Sequence, residues 1–175
     1  MRWTGPDGYW ASDERELIDV TRVHGWLTRE SYWARDRPYD VVARSIKHSL
    51  VFGLYSADGG QVGFARFVTD YATFGWLCDV FVESGRHGSG LGSFLVQIAI
   101  NHPAVEAVRQ VLAAVPGRSL YARQGFAPLE RPERWMERRS TPSGAPDPPQ
   151  ESSSANLPSP EQSQEGSNGS APQMV

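Results

Sequence analysis

Val80-Phe81-Val82-Glu83-Ser84-Gly85-Arg86-His87-Gly88-Ser89-Gly90-Leu91-Gly92-Ser93-Phe94-Leu95-Val96-Gln97-Ile98 is the stretch on which the reading of this chain turns. It begins as a strand, runs into a glycine-rich loop and continues as a helix. Leu91, Phe94, Leu95, Ile98 and Ala99 recur at three- and four-residue steps, one apolar helical face that ends at Asn101-His102-Pro103. Glycines leave backbone N–H groups uncovered and let the chain pass through positive φ. The helix that follows points its unsatisfied N–H groups and the positive end of its dipole back at the loop. Such a junction is an anion site suited to phosphates. The same residues also make a tight strand-to-helix connection that binds nothing, and the glycines alone leave both readings open. A nucleotide P-loop needs Lys and Ser/Thr after its last glycine, whereas Gly92 is followed by Ser93-Phe94. A Rossmann fingerprint needs G-x-G-x-x-G after the first strand, whereas this spacing is G-x-G-x-G.

Upstream, Leu50-Val51-Phe52-Gly53-Leu54-Tyr55 is rich in β-formers, Asp58-Gly59-Gly60 is a turn signal, and Val62, Phe64, Phe67 and Val68 punctuate the next run. Asp70-Tyr71-Ala72 gives a second turn before a third strand through Trp76 and Val82. Three strands joined by short turns predict an antiparallel meander. Before it, residues 9–12 suggest an edge strand and residues 17–27 a helix, with Val20, Val23, Trp26 and Leu27 on one face. Residues 40–48 predict a second helix with Asp40 as N-cap. Beyond the glycine loop, residues 108–115 predict a strand broken by Pro116-Gly117. Residues 120–124 predict a short helix closed by Gly125, and Phe126 with Trp135-Met136 a last strand pair. The order predicts a mixed α/β fold whose mostly antiparallel central sheet is flanked by helices.

All 17 Lys and Arg precede residue 140, together with 16 of the 20 Asp and Glu. Residues 140–175 hold nine Ser, seven Pro and no aromatic. Such a segment buries too little apolar surface to offset its ordering entropy, so a disordered Ser/Pro-rich tail is expected after a domain of residues 1–139. That domain carries six Trp, six Tyr and seven Phe, enough for a proper core. Its near-zero charge argues against a nucleic-acid partner. The single Cys78 excludes an intramolecular disulfide framework and a multi-cysteine zinc site, and no metal-ligand spacing links His24, His48 and His102. No apolar run approaches the roughly 18 residues of a membrane helix, and the first residues show no signal-peptide core. A cytoplasmic protein with no membrane partner is the expectation.

The segment from Val82 to Gly92 resembles the acetyl-CoA-binding signature of the GNAT superfamily of N-acetyltransferases. Gly63-Phe64-Ala65-Arg66-Phe67-Val68-Thr69-Asp70-Tyr71-Ala72-Thr73-Phe74 is similar to the central hairpin of a bacterial- and fungal-type GNAT subfamily. Leu120-Tyr121-Ala122-Arg123-Gln124-Gly125-Phe126 resembles the superfamily's second landmark, a Tyr four residues before Gly-Phe. The likeness covers residues 8–138, about. It implies a GNAT fold in which the strand before the loop splays from the next, parallel strand. The pantetheine arm of acetyl-CoA lies in that wedge against strand backbone. By this resemblance Val80, Phe81 and Val82 offer that backbone, and His87, Gly88, Ser89, Gly90, Leu91 and Gly92 wrap the pyrophosphate. An amine attacks the thioester directly, and CoA leaves as thiol.

Tyr121 stands where the family places its general acid, able to protonate the leaving thiolate; the plainer reading is a ring packed under CoA. Asp79, in an otherwise apolar strand, is the first choice for a general base, against a structural acid paired with an Arg such as Arg66. Glu83 is the second choice, or else a solvated loop acid. Cys78 reads as a core thiol. Tyr32, Trp33, Tyr71, Phe74 and Trp76 either line an acceptor pocket or pack the hairpin and core. The segment Glu30-Ser31-Tyr32-Trp33 with Arg35 and Arg37 lies in the helical region that caps the acceptor side, and acceptor selectivity is expected there. The acceptor is a small-molecule or peptide amine, and family members often form homodimers. The signature usually carries Arg or Gln where His87 stands, and the subfamily carries Thr, Asp and His in the region of Ala114 to Ser119. Those departures keep a second reading in view, a catalytically weak or inactive GNAT-fold acyl-CoA-binding or interaction module. The two differ in free-thiol release with an amine panel.

Overall fold

The computed structural model describes residues 1–86, 88–114 and 118–138. His87, the residues Val115, Pro116 and Gly117, and everything from residue 139 onward, the Ser/Pro-rich tail included, lie outside the described residues. Six strands stand in sequence order in one sheet: β1 (Arg2–Thr4), β2 (Trp10–Ser12), β3 (Leu50–Tyr55), β4 (Gln61–Thr69), β5 (Phe74–Val82) and β6 (Arg109–Val111). Successive strands pair antiparallel as far as β5, and β6 runs parallel to β5. The helices are α1 (Val20–Arg29), α2 (Tyr39–Lys47), α3 (Leu91–Ile100) and α4 (Arg118–Ala122).

Short polar turns set the meander's register. Between β3 and β4, Gly59 takes a φ of 88° that an L side chain resists, and Asp58 accepts hydrogen bonds from the Ser56 hydroxyl and the Gly60 amide. Between β4 and β5 the Asp70 carboxylate accepts from the amides of Ala72, Thr73 and Phe74 at 2.9–3.1 Å, and from the Thr73 hydroxyl at 2.6 Å. Side chains alternate across a strand, and the core divides accordingly. Phe52 and Ala65 join a cluster with Leu91, Leu95 and Ala99 of α3, while Val51 and Phe64 join one with Val23 and Leu27 of α1 and Val42 and Ile46 of α2. The sheet is therefore covered on both faces, as the nearly continuous burial of β3 and β4 requires.

Two irregularities open the sheet where the site lies. The β4–β5 register passes from Phe64↔Phe81 to Arg66↔Cys78, so β5 carries one extra residue, and Asp79 there has a φ of 50°. The β5–β6 pairing consists of Phe74↔Arg109, Gly75↔Gln110 and Trp76↔Val111 and stops well before β5 ends at Val82. This is the splayed parallel pair.

Several sequence expectations need correction. Of residues 9–12, Trp10–Ser12 form a strand, but β1 lies outside it and takes the edge. The first helix starts at Val20, because Asp19 caps it by accepting from the Arg22 amide at 2.9 Å. The second starts at Tyr39 with Pro38 in the cap position, which places Asp40 in the first turn. The region of Tyr32 to Arg37 is a loop between α1 and α2, with Asp36 at a φ of 61°. No strand forms at Phe126 or Trp135-Met136 among the described residues. The chain divides into two units after Pro132; of the second, only residues 133–138 are described. No helix among the described residues is long and apolar enough to cross a membrane.

Candidate active site

The wedge between β5 and the chain after β6 is the starting point. Its walls are Leu77 to Val80 on one side and Leu112, Ala113 and Ala114 on the other, and they bound a cavity of about 440 Å³. Tyr121 closes it from α4. That helix ends in a turn built on Gly125 at a φ of 87°, with the Gly125 amide donating to the Ala122 carbonyl and the Phe126 amide to the Tyr121 carbonyl, both at 3.1 Å. Tyr four residues before Gly-Phe is thus a local folding unit: the glycine allows the chain to reverse, and Phe126 then packs edge-on to the Tyr121 ring with centroids 6.2 Å apart. Burial, assisted by the neighbouring Tyr32, raises the Tyr121 phenol above its ordinary pKa. It is a neutral donor at physiological pH.

The glycine loop leads into α3 at the wide end of the wedge. Gly90 is the N-cap of α3 at a φ of 81°, with no side chain capping the first turn, and Gly88 has a φ of 84°. A Cβ placed at Gly85, Gly88 or Gly90 meets no atom within 4 Å. Open space above uncapped amides is what a phosphate group needs. Ser89 donates to the Arg86 carbonyl at 2.5 Å. Arg86, one place before His87, is committed elsewhere: it donates to Glu83 at 3.2 Å and to the Tyr9 hydroxyl. Val80 lines the cavity, while Phe81 and Val82 are buried in opposite core clusters and stand outside its lining.

The far end of the cavity is polar. Asp79 is buried, with 3% of its side chain exposed, and a donor stands on each oxygen. Trp33 Nε1 donates to Oδ1 at 3.1 Å, while Arg37 Nη1 and Arg66 Nε donate to Oδ2 at 2.9 and 2.7 Å. Arg66 also donates through Nη1 to the Ser49 hydroxyl at 3.2 Å. The loop that carries Trp33 and Arg37 is pinned by His24, whose Nε2 lies 3.1 Å from the Arg37 carbonyl oxygen. Tyr32, Trp33 and Trp76 complete this end, whereas Tyr71 and Phe74 stand outside the lining.

The structure therefore brings together Tyr121, Asp79 and Val80 in one cavity, with Gly88, Ser89, Gly90, Leu91 and Gly92 at the adjoining helix start. Glu83 does not line it; it pairs with Arg86 at 3.2 Å and approaches Arg22 at 3.8 Å. Cys78 lines the cavity, but burial pushes its thiol up to about 12, which keeps it protonated and a poor nucleophile. His24 and Ser49 were not singled out by sequence as parts of this site. Nothing in a lone His on a helix or a Ser before a strand marks a positioning role.

Residues 47–128 match the family described as Acetyltransferase (GNAT) domain. A crystal structure from Xanthomonas campestris pv. campestris, of a candidate acetyltransferase belonging to the GNAT family, is 39% identical with a TM-score of 0.73, over 78% of this chain and 96% of that one. A Gibberella zeae protein named as a candidate acetyltransferase is 31% identical over 116 residues, 56% of this chain, and the match spans 65% of that relative's length. A Clostridium acetobutylicum acetyltransferase, so named by prediction and solved with acetyl-CoA, shares the fold at 14% identity and a TM-score of 0.56, over 79% of this chain and 96% of its own. With the splayed strand pair, the glycine loop at α3 and the tyrosine of α4 in place, this agreement over nearly the whole of the Xanthomonas chain settles the family: the protein belongs to the GNAT acetyltransferases.

Proposed function

We propose that this chain transfers an acetyl group from acetyl-CoA to an amine, by direct attack within the wedge. The observation that carries the reading is the opening of β5 from β6 beyond Trp76 and Val111, with Tyr121 on its wall and the uncapped start of α3 at its wide end. Acetyl-CoA supplies an activated acyl group as a thioester. The fit is physical: backbone from Leu77 to Val80 borders the gap as an added strand would require, and open space lies above Gly88 and Gly90 where a pyrophosphate would sit.

The chain's own residues would then do three things. Amides at the start of α3 hold the diphosphate and fix the depth to which the arm reaches. The Tyr121 hydroxyl, kept protonated by burial, gives its proton to the sulfur as the C–S bond breaks and the C–N bond forms. Asp79, with a donor on each oxygen, holds Arg37, Arg66 and Trp33 at the acceptor end. The acceptor ammonium first gives one proton to water beside the exposed Tyr32, Trp33 and Trp76 and attacks as the neutral amine; the second proton, lost as the amide forms, restores the Tyr121 phenol.

Thermal denaturation with and without acetyl-CoA, followed by thiol release with a panel of amines, tests the reading. A rise in Tm with acetyl-CoA and thiol release that depends on an added amine are expected. No shift in Tm overturns both the transferase and the binding-module readings; a shift with no amine-dependent thiol leaves the binding module.

A further inference from the structure

We propose that the acceptor end of the cavity is an anion subsite formed by Arg37 and Arg66, and that the acceptor is an amine carrying a carboxylate. This rests on the transferase reading above and names its substrate class. Among the described residues, two guanidinium groups and one carboxylate are the charged groups lining the cavity, which leaves one net positive charge from them. Both arginines address the same oxygen, Oδ2 of Asp79, so a single negative charge is shared between them. Their side chains are only 25% and 12% exposed, where an unneutralised charge is costly.

The guanidinium groups also have donors to spare. Arg37 spends Nη1 on Asp79, and Nε and Nη2 have no partner among the described residues. Arg66 spends Nε on Asp79 and Nη1 on Ser49, and Nη2 has none. The Tyr55 hydroxyl is the one buried side-chain polar atom without a partner among the described residues, so these nitrogens reach open space. Both residues line the cavity. A planar carboxylate matches such a fork, accepting two parallel hydrogen bonds.

The same geometry disfavours the opposite class of acceptor. A polyamine brings a second ammonium, and the cavity's one carboxylate already has a donor on each oxygen. Trp33 and Trp76 add flat apolar surface to the same lining, on which the carbon skeleton between amine and carboxylate can lie. Asp79, Ser49 and His24 act through the arginines: the first two orient Arg66, and His24 fixes the main chain at Arg37.

The experiment compares matched acceptors on the full chain with acetyl-CoA. Glycine, β-alanine, γ-aminobutyrate and phenylalanine are each set against the amine lacking the carboxylate: methylamine, ethylamine, propylamine and phenethylamine, with spermidine as the polycation. At least one carboxylate-bearing amine should exceed its counterpart in kcat/KM by about tenfold to a hundredfold, the worth of charged hydrogen bonds. Spermidine should be the poorest. In Arg37→Gln the ratio within that pair should fall by about tenfold or more. Counterparts that react as well as their carboxylates, or a ratio that survives Arg37→Gln, overturn the subsite. If no amine releases thiol, the transferase reading fails separately. The subsite is then decided by calorimetric titration of the same pairs into the CoA-saturated protein, where binding of a carboxylate member and not of its counterpart supports it and equal or absent binding of both overturns it.

Discussion

Arg66 on β4 and Asp79 on β5 meet across the bulge, with the guanidinium Nε 2.7 Å from the carboxylate Oδ2. The pair is almost wholly withdrawn from water, and Asp79 serves Arg37 as well as Arg66. Removing it strands both guanidinium groups in a low-dielectric site. Loss of one partner from a buried pair costs about 3–5 kcal/mol. Asp79→Ala should therefore lower stability by roughly that amount, read as a fall in the urea midpoint. An unchanged midpoint would mean that water carries the arginine charges unaided.

Tyr121 is predicted to matter for turnover and not for donor binding. Tyr121→Phe keeps the ring against Phe126 and deletes the proton. The rate should fall by about a hundredfold or more, while the thermal shift with acetyl-CoA persists. The pH profile gives the sign independently. The acid works only while protonated, so the wild-type rate should decline as pH rises through a tyrosine pKa above the usual value of about 10. That alkaline limb should be absent from the variant. An identical profile in both proteins would remove Tyr121 from proton transfer.

The glycine loop offers a paired test of where acetyl-CoA binds. Gly92 lies in the first turn of α3, and a Cβ there makes only ordinary contact, with Leu120 Cδ2 at 3.8 Å. Gly90 has open space but a positive φ, so a side chain there adds about 1–2 kcal/mol of backbone strain. Gly92→Glu and Gly90→Glu should both abolish the acetyl-CoA-induced rise in Tm by setting a carboxylate against the diphosphate. Only Gly90→Glu should also lower the Tm of the unliganded chain. A full thermal shift in Gly92→Glu would place the diphosphate elsewhere.

Asp70 makes hairpin stability depend on acid. The Thr73 hydroxyl, then the amides of Thr73, Ala72 and Phe74, hold its carboxyl well below the usual carboxylate range. A group whose pKa is depressed by folding adds stability above its unfolded value and loses it as pH falls through the folded one. Asp70→Ala should thus lower Tm at neutral pH, with a deficit that shrinks as the pH is taken below about 4. A deficit of constant size down to strongly acid pH would assign the effect to geometry and not to charge.

Much of this was legible because the signals were local. Asp58-Gly59-Gly60 and Asp70-Tyr71-Ala72 stop strands through their own side chains and backbone, and β3, β4 and β5 lie where those turns imply. Gly125 closes α4 for the same reason. What sequence could not give depends on partners distant along the chain. Trp33 and Arg37 reach Asp79 from a loop over forty residues away in sequence, |i−j| being 46 and 42, and nothing near Asp79 announces them. The strand expected at residues 108–115 is cut to Arg109–Val111, because β propensity does not reveal that its neighbour turns away. β1 was missed for a related reason: Arg2-Trp3-Thr4 is too short to show alternation, and only pairing with β2 makes it a strand.

One inserted residue works like a frameshift in β5. Up to Leu77, odd-numbered side chains face α3; beyond Asp79 the even-numbered Val80 and Val82 face it, and Phe81 is sent to the α1 side to stack on Trp26. Deleting Asp79 would leave those later faces unchanged, because Val80 would then stand opposite Ala65 while Phe81 kept its place opposite Phe64. The core beyond the step is indifferent to the extra residue; what its loss would remove is the buried carboxylate that gathers Trp33, Arg37 and Arg66.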